Sequence, residues 1–319
     1  MSRVLVTGAA GFIGSHLCEA LLARGDEVLG VDSFTENYSP ARKRANLTDA
    51  LAAGLEFRRL DLTCDALDPV LRRIDVLYHL AGQPGVRSSW SENFDTYARR
   101  NLVATQRLLE AALRAGGPRF VFASSSSVYG NVAERPAREC DRLAPVSPYG
   151  LTKVAAEELI GVYRRVHGLS AVSLRYFTVY GPRQRPEMAF ASFIRAVLSG
   201  RPLPVLGDGH QTREFTLVTD AVAATIAAAE LGTEPSYNVS GGTTSTLLEA
   251  IAQIEQLTGR SALISFSPSA QGDAYRTSAD LTAARRDLGY GPEVSLRDGL
   301  ALQIRAAMAE PVEPAEAVA

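Results

Sequence analysis

Tyr149 and Lys153 stand in Tyr149-Gly150-Leu151-Thr152-Lys153, a spacing that puts a phenol and an ammonium on one face of a helix. A free phenol, with pKa about 10, is a poor base at neutral pH. A neighbouring cation favours the phenolate, so the pair suits a general base that later returns its proton. Upstream runs Ser124-Ser125-Ser126-Ser127-Val128-Tyr129-Gly130, at the end of an apolar stretch that reads as a strand. A strand-end hydroxyl beside such a base can donate to a substrate oxygen. On an arbitrary helix the Tyr/Lys spacing would be surface decoration. Here Ser147-Pro148 supplies a helix start, and the combination points to hydride-transfer chemistry.

Hydride transfer needs a cofactor, and the start of the chain offers a place for one. Thr7-Gly8-Ala9-Ala10-Gly11-Phe12-Ile13-Gly14 follows an apolar strand and opens a helix. Gly8 permits a tight turn, Gly11 lets backbone approach a pyrophosphate, and Gly14 lets helix and strand pack closely. The helix N-terminus then offers N–H donors to the phosphates. Asp32 closes the second expected strand, where a carboxylate can bind ribose hydroxyls and repel a 2′-phosphate, favouring NAD over NADP. Lys43 either approaches that ribose or phosphate or lies on a solvated helix face. Asp61-Leu62 either contacts the adenine or caps a strand end. The small residues of His79-Leu80-Ala81-Gly82-Gln83 would let backbone lie along the cofactor.

The elements that must position these groups alternate. Val4–Thr7, Glu27–Val31, Glu56–Leu60, Val76–Leu80, Phe120–Ser124 and Ala171–Tyr176 read as short strands apolar through both faces. Helical patterns lie between them near Ile13–Arg24, Pro40–Ala53, Phe94–Ala115 and Tyr149–Val166. That alternation predicts a doubly wound parallel α/β sheet over residues 1–180. After Gly181-Pro182 the rhythm changes: helices near Phe190–Ser199, Leu247–Leu257 and Leu296–Met308 and a strand near Ser261–Ser265 suggest a smaller mixed lobe, 181–219 and 242–308. A helix near Asp220–Glu230 and a strand near Tyr237–Ser240 place 220–241 back with the main sheet. The Pro/Glu-rich 309–319 reads as a flexible tail.

Composition bounds the partners. With 33 Lys+Arg against 35 Asp+Glu the net charge is −2, which argues against nucleic acid or an acidic membrane as the main target. No apolar run approaches the ~20 residues of a membrane helix. Cys18, Cys64 and Cys140 are far apart and the four histidines are scattered, so neither a disulfide framework nor a metal site is implied. A strand begins at Arg3, which leaves no room for a signal peptide, and a cytoplasmic protein is expected.

The glycine loop, the serine run and the Tyr/Lys pair together resemble the extended short-chain dehydrogenase/reductase family of nucleotide-sugar epimerases and dehydratases, from Thr7-Gly8 to about Leu300. The resemblance implies a Rossmann-type NAD domain with a C-terminal substrate lobe, and a triad of Ser125, Tyr149 and Lys153. It implies a cofactor site of Gly8, Gly11, Phe12, Ile13, Gly14, Asp32, Lys43, Asp61, Leu62, Leu80, Ala81, Gly82, Gln83, Asn101, Ala123, Tyr149, Lys153 and Tyr176. Asn101 would support the helix and an active-site water. A homodimer is also implied, built on the helices near Phe94–Ala115 and Tyr149–Val166 as a four-helix contact.

Within that family the 4,6-dehydratases place an Asp-Glu pair after the triad hydroxyl, and the sugar-acid decarboxylases carry Glu at the position of Ser127. This chain has Ser126-Ser127 instead. Pro84-Gly85-Val86-Arg87 and Arg175-Tyr176-Phe177-Thr178-Val179-Tyr180-Gly181-Pro182-Arg183-Gln184-Arg185 are similar to the UDP-glucuronate 4-epimerases, whereas the UDP-glucose/UDP-galactose epimerases usually have Asn where Thr178 stands. Ser126, Ser127 and Thr178 either fix a sugar carboxylate by charge-assisted hydrogen bonds or are plain strand and turn residues. Arg185, Arg213 and Arg276 are expected at the diphosphate or ribose of a UDP-sugar, Arg87 at the carboxylate or a phosphate, and Phe190 and Val205 beside the uracil. Where many relatives carry a phosphate-binding Arg before the late Gly-Asp, this chain reads Ser269-Ala270-Gln271-Gly272-Asp273, so Arg276 is expected to substitute. A non-catalytic NAD-binding regulator is the reading from another class, disfavoured by an intact Ser/Tyr/Lys set.

Overall fold

The computed structural model describes residues 1–131, 135–269 and 272–309. Six strands come from the first part of the chain: β1 (Arg3–Thr7), β2 (Glu27–Asp32), β3 (Glu56–Arg59), β4 (Val76–His79), β5 (Arg119–Ser125) and β6 (Ala171–Tyr176). They join a later strand, Ser236–Val239, in one seven-stranded sheet ordered β3-β2-β1-β4-β5-β6 and then that late strand. Every pairing is parallel. This is a doubly wound α/β sheet of Rossmann type, with its strand order reversing between β1 and β4, where the carboxyl ends open a crevice.

Burial follows position in the sheet. Every residue of β6 is buried, and β1 is buried from Val4 onward. β3 is the exception to the expectation of strands apolar on both faces. It lies at the sheet edge, so Glu56, Arg58 and Arg59 remain exposed. Two apolar clusters fill the space between sheet and helices; one holds Val4, Val6 and Leu17, the other Leu5, Leu77 and Leu108. A third cluster, with Phe190, Phe193, Leu203, Val205, Phe215, Ile251 and Leu300, lies in the C-terminal part. Among the described residues no helix is long and apolar enough to cross a membrane.

Three expected elements differ in detail. The Pro40–Ala53 pattern divides at Leu47 into Pro40–Asn46 and Thr48–Ala52. The Phe94–Ala115 pattern is α-helical at Phe94–Tyr97 and Ala104–Arg114 but widens into a π-helical turn at Ala98–Val103, where Asn101 turns inward. The strand expected at Ser261–Ser265 runs Leu263–Ser267, where it pairs with Pro202–Leu206. The expected tail lies outside the described residues beyond Ala309.

His79 ends β4 with its ring fully buried, Nδ1 bonded to Thr7 Oγ1 at 2.8 Å and Nε2 to Thr105 Oγ1 at 3.0 Å. Burial, helped by the Lys153 charge, lowers its pKa from 6.5 to about 3. Between those values the unfolded chain binds a proton that the folded chain refuses. Stability present at neutral pH should therefore be lost as pH falls from about 6.5 towards 3, at up to about 1.4 kcal/mol per unit. A His79→Asn variant should be less stable at pH 7 yet flatter on acidification. Urea unfolding at a series of pH values measures this, and a wild-type advantage that persists to pH 4 would contradict it.

Candidate active site

The loop after β1 is built from close backbone contacts. Gly8 has φ +71°, and a Cβ there would fall 2.8 Å from the Ala81 backbone nitrogen, because the ends of β1 and β4 nearly touch. The Gly11 N–H donates to the Gly8 carbonyl at 2.9 Å. A Cβ on Gly14 would lie 2.1 Å from the Gly8 oxygen, so the helix Phe12–Ala23 can sit this close only without a side chain. That helix has no side-chain cap at Gly11 and no acidic residue in its first turn. Its first amides and its positive dipole end are thus available to an anion.

Asp32 ends β2 and accepts the Phe34 N–H at 2.8 Å. Burial raises its pKa, against the opposing pull of that N–H and of Lys43. Lys43 is buried, so it does not lie on a solvated helix face. Its ammonium donates to Thr35 O (2.7 Å), Thr35 Oγ1 (3.0 Å) and Asn37 Oδ1 (2.9 Å) and lies 4.8 Å from the centre of the Tyr38 ring. Asp61 accepts from Thr63 N at 2.8 Å and Thr63 Oγ1 at 2.7 Å. Burial pushes that carboxyl up, but the Thr63 bonds, Arg100 and Arg107 hold it below its ordinary value.

A single cavity of about 380 Å³ runs from the glycine loop past Asp32 and Asp61, along Leu80–Gln83, to Ser125, Tyr149 and Lys153. Its wall holds the predicted Phe12, Ile13, Lys43, Leu62, Ala123 and Tyr176 as well. These residues fit a dinucleotide: a glycine cradle that a Cβ would fill, uncapped amides beside it, and a half-buried carboxylate at the end of β2. Asn101 does not line the cavity. It supports it from behind, accepting Gln83 N at 2.6 Å and donating to Gln83 O and Thr152 Oγ1, both at 3.0 Å. Gly82 leaves room for it, since a Cβ there would fall 2.9 Å from Asn101 Oδ1.

The helix that carries Tyr149 runs Pro148–His167. Ser147 caps it by accepting Gly150 N–H at 3.1 Å, and Gly168, at φ 68°, ends it. Lys153 is buried, donates to the Ala123 carbonyl at 2.7 Å and lies 4.7 Å from the centre of the Phe122 ring. Burial lowers it to about 8, with Glu157 pushing the other way. Tyr149 departs from expectation. Burial raises its pKa, while the Ser125 hydroxyl and the Arg185 charge act in the opposite sense. Ser125 Oγ accepts Ser127 N and donates to Ser127 Oγ, each at 3.1 Å. The Tyr176 hydroxyl is bonded to Thr225 Oγ1 at 2.6 Å.

Ser126, Ser127, Thr178 and Arg185 join the cavity wall at the Tyr149 end. Arg87, Arg213 and Arg276 do not line it. Arg87 pairs with Asp273, at 3.1 Å from Nε and 2.9 Å from Nη2. Arg213 donates to the Thr212 and Tyr275 carbonyls at 2.8 and 3.1 Å. Arg276 is exposed and bridges Thr212 through its backbone. Phe190 and Val205 are corrections. At 1% and 0% exposure their side chains belong to the third core, Phe190 against Phe215 at 4.5 Å between ring centres. Amphipathic packing claims them, so neither side chain faces the cleft. Sequence reading missed Arg100, Tyr38 and Ser124, all in the wall. Arg100 reaches it only through the π-helical turn and donates to Gln83 Oε1 at 2.7 Å.

Residues 4–240 match the model of the NAD dependent epimerase/dehydratase family. The Bacillus subtilis protein YtcB, described as an uncharacterized UDP-glucose epimerase, is 43% identical over 307 residues, 95% of this chain and 96% of that one. The UDP-glucuronate 4-epimerase of Thermodesulfobacterium geofontis is 36% identical over 306 residues, 94% of each chain. Among solved structures, the UDP-glucuronic acid 4-epimerase of Bacillus cereus in complex with UDP-glucuronic acid and NAD matches with a TM-score of 0.93 at 41% identity, over 96% of this chain and 99% of that one.

Gly14→Ala tests the cradle. The added methyl meets backbone, which cannot swing aside as a side chain would, so the loop and helix must separate. NAD affinity should fall at least about tenfold, ~1.4 kcal/mol, with a lowered Tm. Calorimetric titration that finds unchanged affinity would show that the loop does not hold the dinucleotide.

Proposed function

This chain belongs to the NAD-dependent epimerase/dehydratase family, and we propose that within it the chain is a 4-epimerase of UDP-glucuronate that forms UDP-galacturonate. The observation that carries the choice of sugar is the chemistry of one cavity wall. Its acidic residues, Asp32 and Asp61, stand at the ends of β2 and β3, while the Tyr149 end presents the Ser125, Ser126, Ser127 and Thr178 hydroxyls and the Arg185 guanidinium. Such a wall complements a carboxylate and, among the described residues, offers no side-chain carboxylate for eliminating water.

Gly8, Gly11, Gly14, Asp32 and Lys153 would hold the cofactor. Bound NAD⁺ supplies a hydride acceptor and donor at sugar C4 and positive charge beside the Tyr149 phenol. Tyr149 takes the proton of the 4-hydroxyl and later returns one, Ser125 donates to the C4 oxygen, and Lys153 contributes its charge. Ser126, Ser127, Thr178 and Arg185 hold the sugar carboxylate. Oxidation at C4 leaves a ketone β to that carboxylate, a group prone to lose CO₂. Restraint of the carboxylate out of line with the carbonyl π system slows that loss while the sugar rotates and is reduced on its other face. Segments 181–219 and 242–308 form the substrate lobe in this reading, with Arg87, Arg213 and Arg276 near the diphosphate.

The rival is UDP-glucose/UDP-galactose epimerisation, favoured by the description of YtcB. Mass and stereochemical analysis of products from both substrates separates the two, with UDP-glucuronate expected to be turned over at least tenfold more efficiently. Tyr149→Phe should lower kcat by about 10²–10⁴-fold. Thr178→Ala should release a decarboxylated product or impair turnover, and unchanged products and kinetics would remove Thr178 from the restraint.

The reading includes a homodimer and a cytoplasmic setting. Leu151, Val162 and Val166 on the Tyr149 helix and Val103 before Ala104–Arg114 are exposed, an apolar stripe suited to a second copy in a four-helix contact. Its three cysteines are free thiols, the state that a reducing compartment maintains. Sedimentation should give twice the 34.1 kDa chain mass, and Val162→Asp should shift it to the monomer.

A further inference from the structure

One face of the Tyr149 helix meets one strand end at three successive turns. Tyr149 is influenced by the Ser125 hydroxyl, Lys153 donates to Ala123 O at 2.7 Å, and Glu157 accepts the hydroxyl of Ser124. Spacing of four residues keeps the three side chains in a row, and β5 presents consecutive residues to them. Glu157 is also gripped from β6. Arg175 donates to it from Nε, at 3.1 Å to each oxygen, and from Nη2 at 2.7 Å. Both side chains are buried, at 8% and 6% exposure. Arg175 is held in turn by Tyr129 Oη at 2.8 Å and by the Glu139 carbonyl at 3.0 Å.

We infer that Glu157, clamped by Arg175, is a positioning residue that fixes the axial register of the Tyr149 helix on β5 and thereby holds Lys153 and Tyr149 opposite Ser125. The inference rests on the catalytic reading of Tyr149 and Lys153 given above. A helix advances 1.5 Å per residue, and a displacement of one ångström in a catalytic group can cost on the order of 10²-fold in rate. Asn101 holds the helix at Thr152 from the side away from β5, and on β5 itself the bond of Lys153 to Ala123 is one contact about which the helix can tilt. The Glu157 contact, one turn further on, makes two, and the ion pair to β6 keeps the second from slipping.

Glu157 also bears on the charge of Lys153. The titratable groups facing Lys153 are Tyr149 and Glu157 on its own helix and His79 on β4, while β5 offers the neutral Ala123 carbonyl and Ser124 hydroxyl. Glu157 is the anion of this set that pushes Lys153 upward. Without it the ammonium should lose its proton at lower pH.

The test compares Glu157→Gln, Glu157→Asp and Ser124→Ala with wild type on whichever UDP-sugar the wild type turns over. Glu157→Gln should lower kcat about 10- to 100-fold, leave KM and bound NAD within about threefold, and move the alkaline limb of the pH profile down by about one unit. Glu157→Asp should bring the alkaline limb back towards wild type. Ser124→Ala, which leaves the ion pair intact, should lose about fivefold in kcat with KM unchanged. Wild-type kcat and pH profile in Glu157→Gln, or a loss confined to KM, would overturn the inference. If Glu157→Gln fails to fold, a wild-type kcat in Ser124→Ala overturns it. Lys43 and Lys153 are the chain's two lysines, so NMR of ε-¹³C-lysine reads the Lys153 titration directly in NAD-loaded protein without turnover. A wild type inactive on every UDP-sugar would count against the functional reading alone, and an unmoved Lys153 titration in Glu157→Gln would still refute this one.

Discussion

A buried ammonium resting on a backbone carbonyl, Lys153 on Ala123, is the constraint from which much of the site follows. Burial by itself discharges a lysine, and here it brings the pKa to about 8. What keeps the group useful is the surroundings: the Ala123 carbonyl, the face of Phe122 and the Glu157 carboxylate one turn away. The same charge helps keep His79 neutral beneath it. The approach is also crowded. A Cβ on Gly82 would fall 2.9 Å from Asn101 Oδ1, and Asn101 reaches that space because its helix widens into a π turn.

The positions legible from sequence were those whose signals are local. Gly8, Gly11 and Gly14 announce themselves because close backbone approach admits no other residue, and Asp32 because it ends a strand of the right kind. The strands of the main sheet are legible for the same reason, being short runs buried on both faces. Phe190 and Val205 were misplaced because a helix stripe and an alternating strand look the same whether they face a core or a cleft. Arg100 was invisible because the π turn shifts its direction by a fraction of a turn that periodicity does not record. Of 33 basic residues two are lysines, and both line the cavity. A lysine changes its charge on burial where an arginine does not, so lysine in an arginine-rich chain marks places where a tunable or compact charge is needed.

The C-terminal part of the chain is tied to the main sheet at Thr178, the residue proposed above to help hold the sugar carboxylate. Thr178 follows β6, and its carbonyl accepts Thr216 N–H at 2.9 Å, where Val179–Tyr180 pairs with Thr216–Leu217. Its backbone is therefore held by both parts of the molecule. Tyr180 carries the constraint onward into the third core, against Phe190 and Phe215. The hydroxyl wall of the cavity thus inherits its rigidity from packing on both sides, which a loop on the surface would lack.

That rigidity gives the wall a chemical meaning on the proposed reading. Loss of CO₂ from a β-keto acid moves negative charge out of the carboxylate and onto the ketone oxygen. Donors fixed on the carboxylate stabilise the charge where it starts and lose that interaction as it leaves, so they favour the ground state over this transition state. Donors on the C4 oxygen act oppositely, and Ser125 and Tyr149 are needed there for the epimerisation itself. A site that must polarise C4 therefore promotes the side reaction unless the carboxylate is held at least as firmly. Three hydroxyls and a guanidinium set against one serine and one phenol give that balance, and replacing a hydroxyl in the wall by a carboxylate would tilt it the other way.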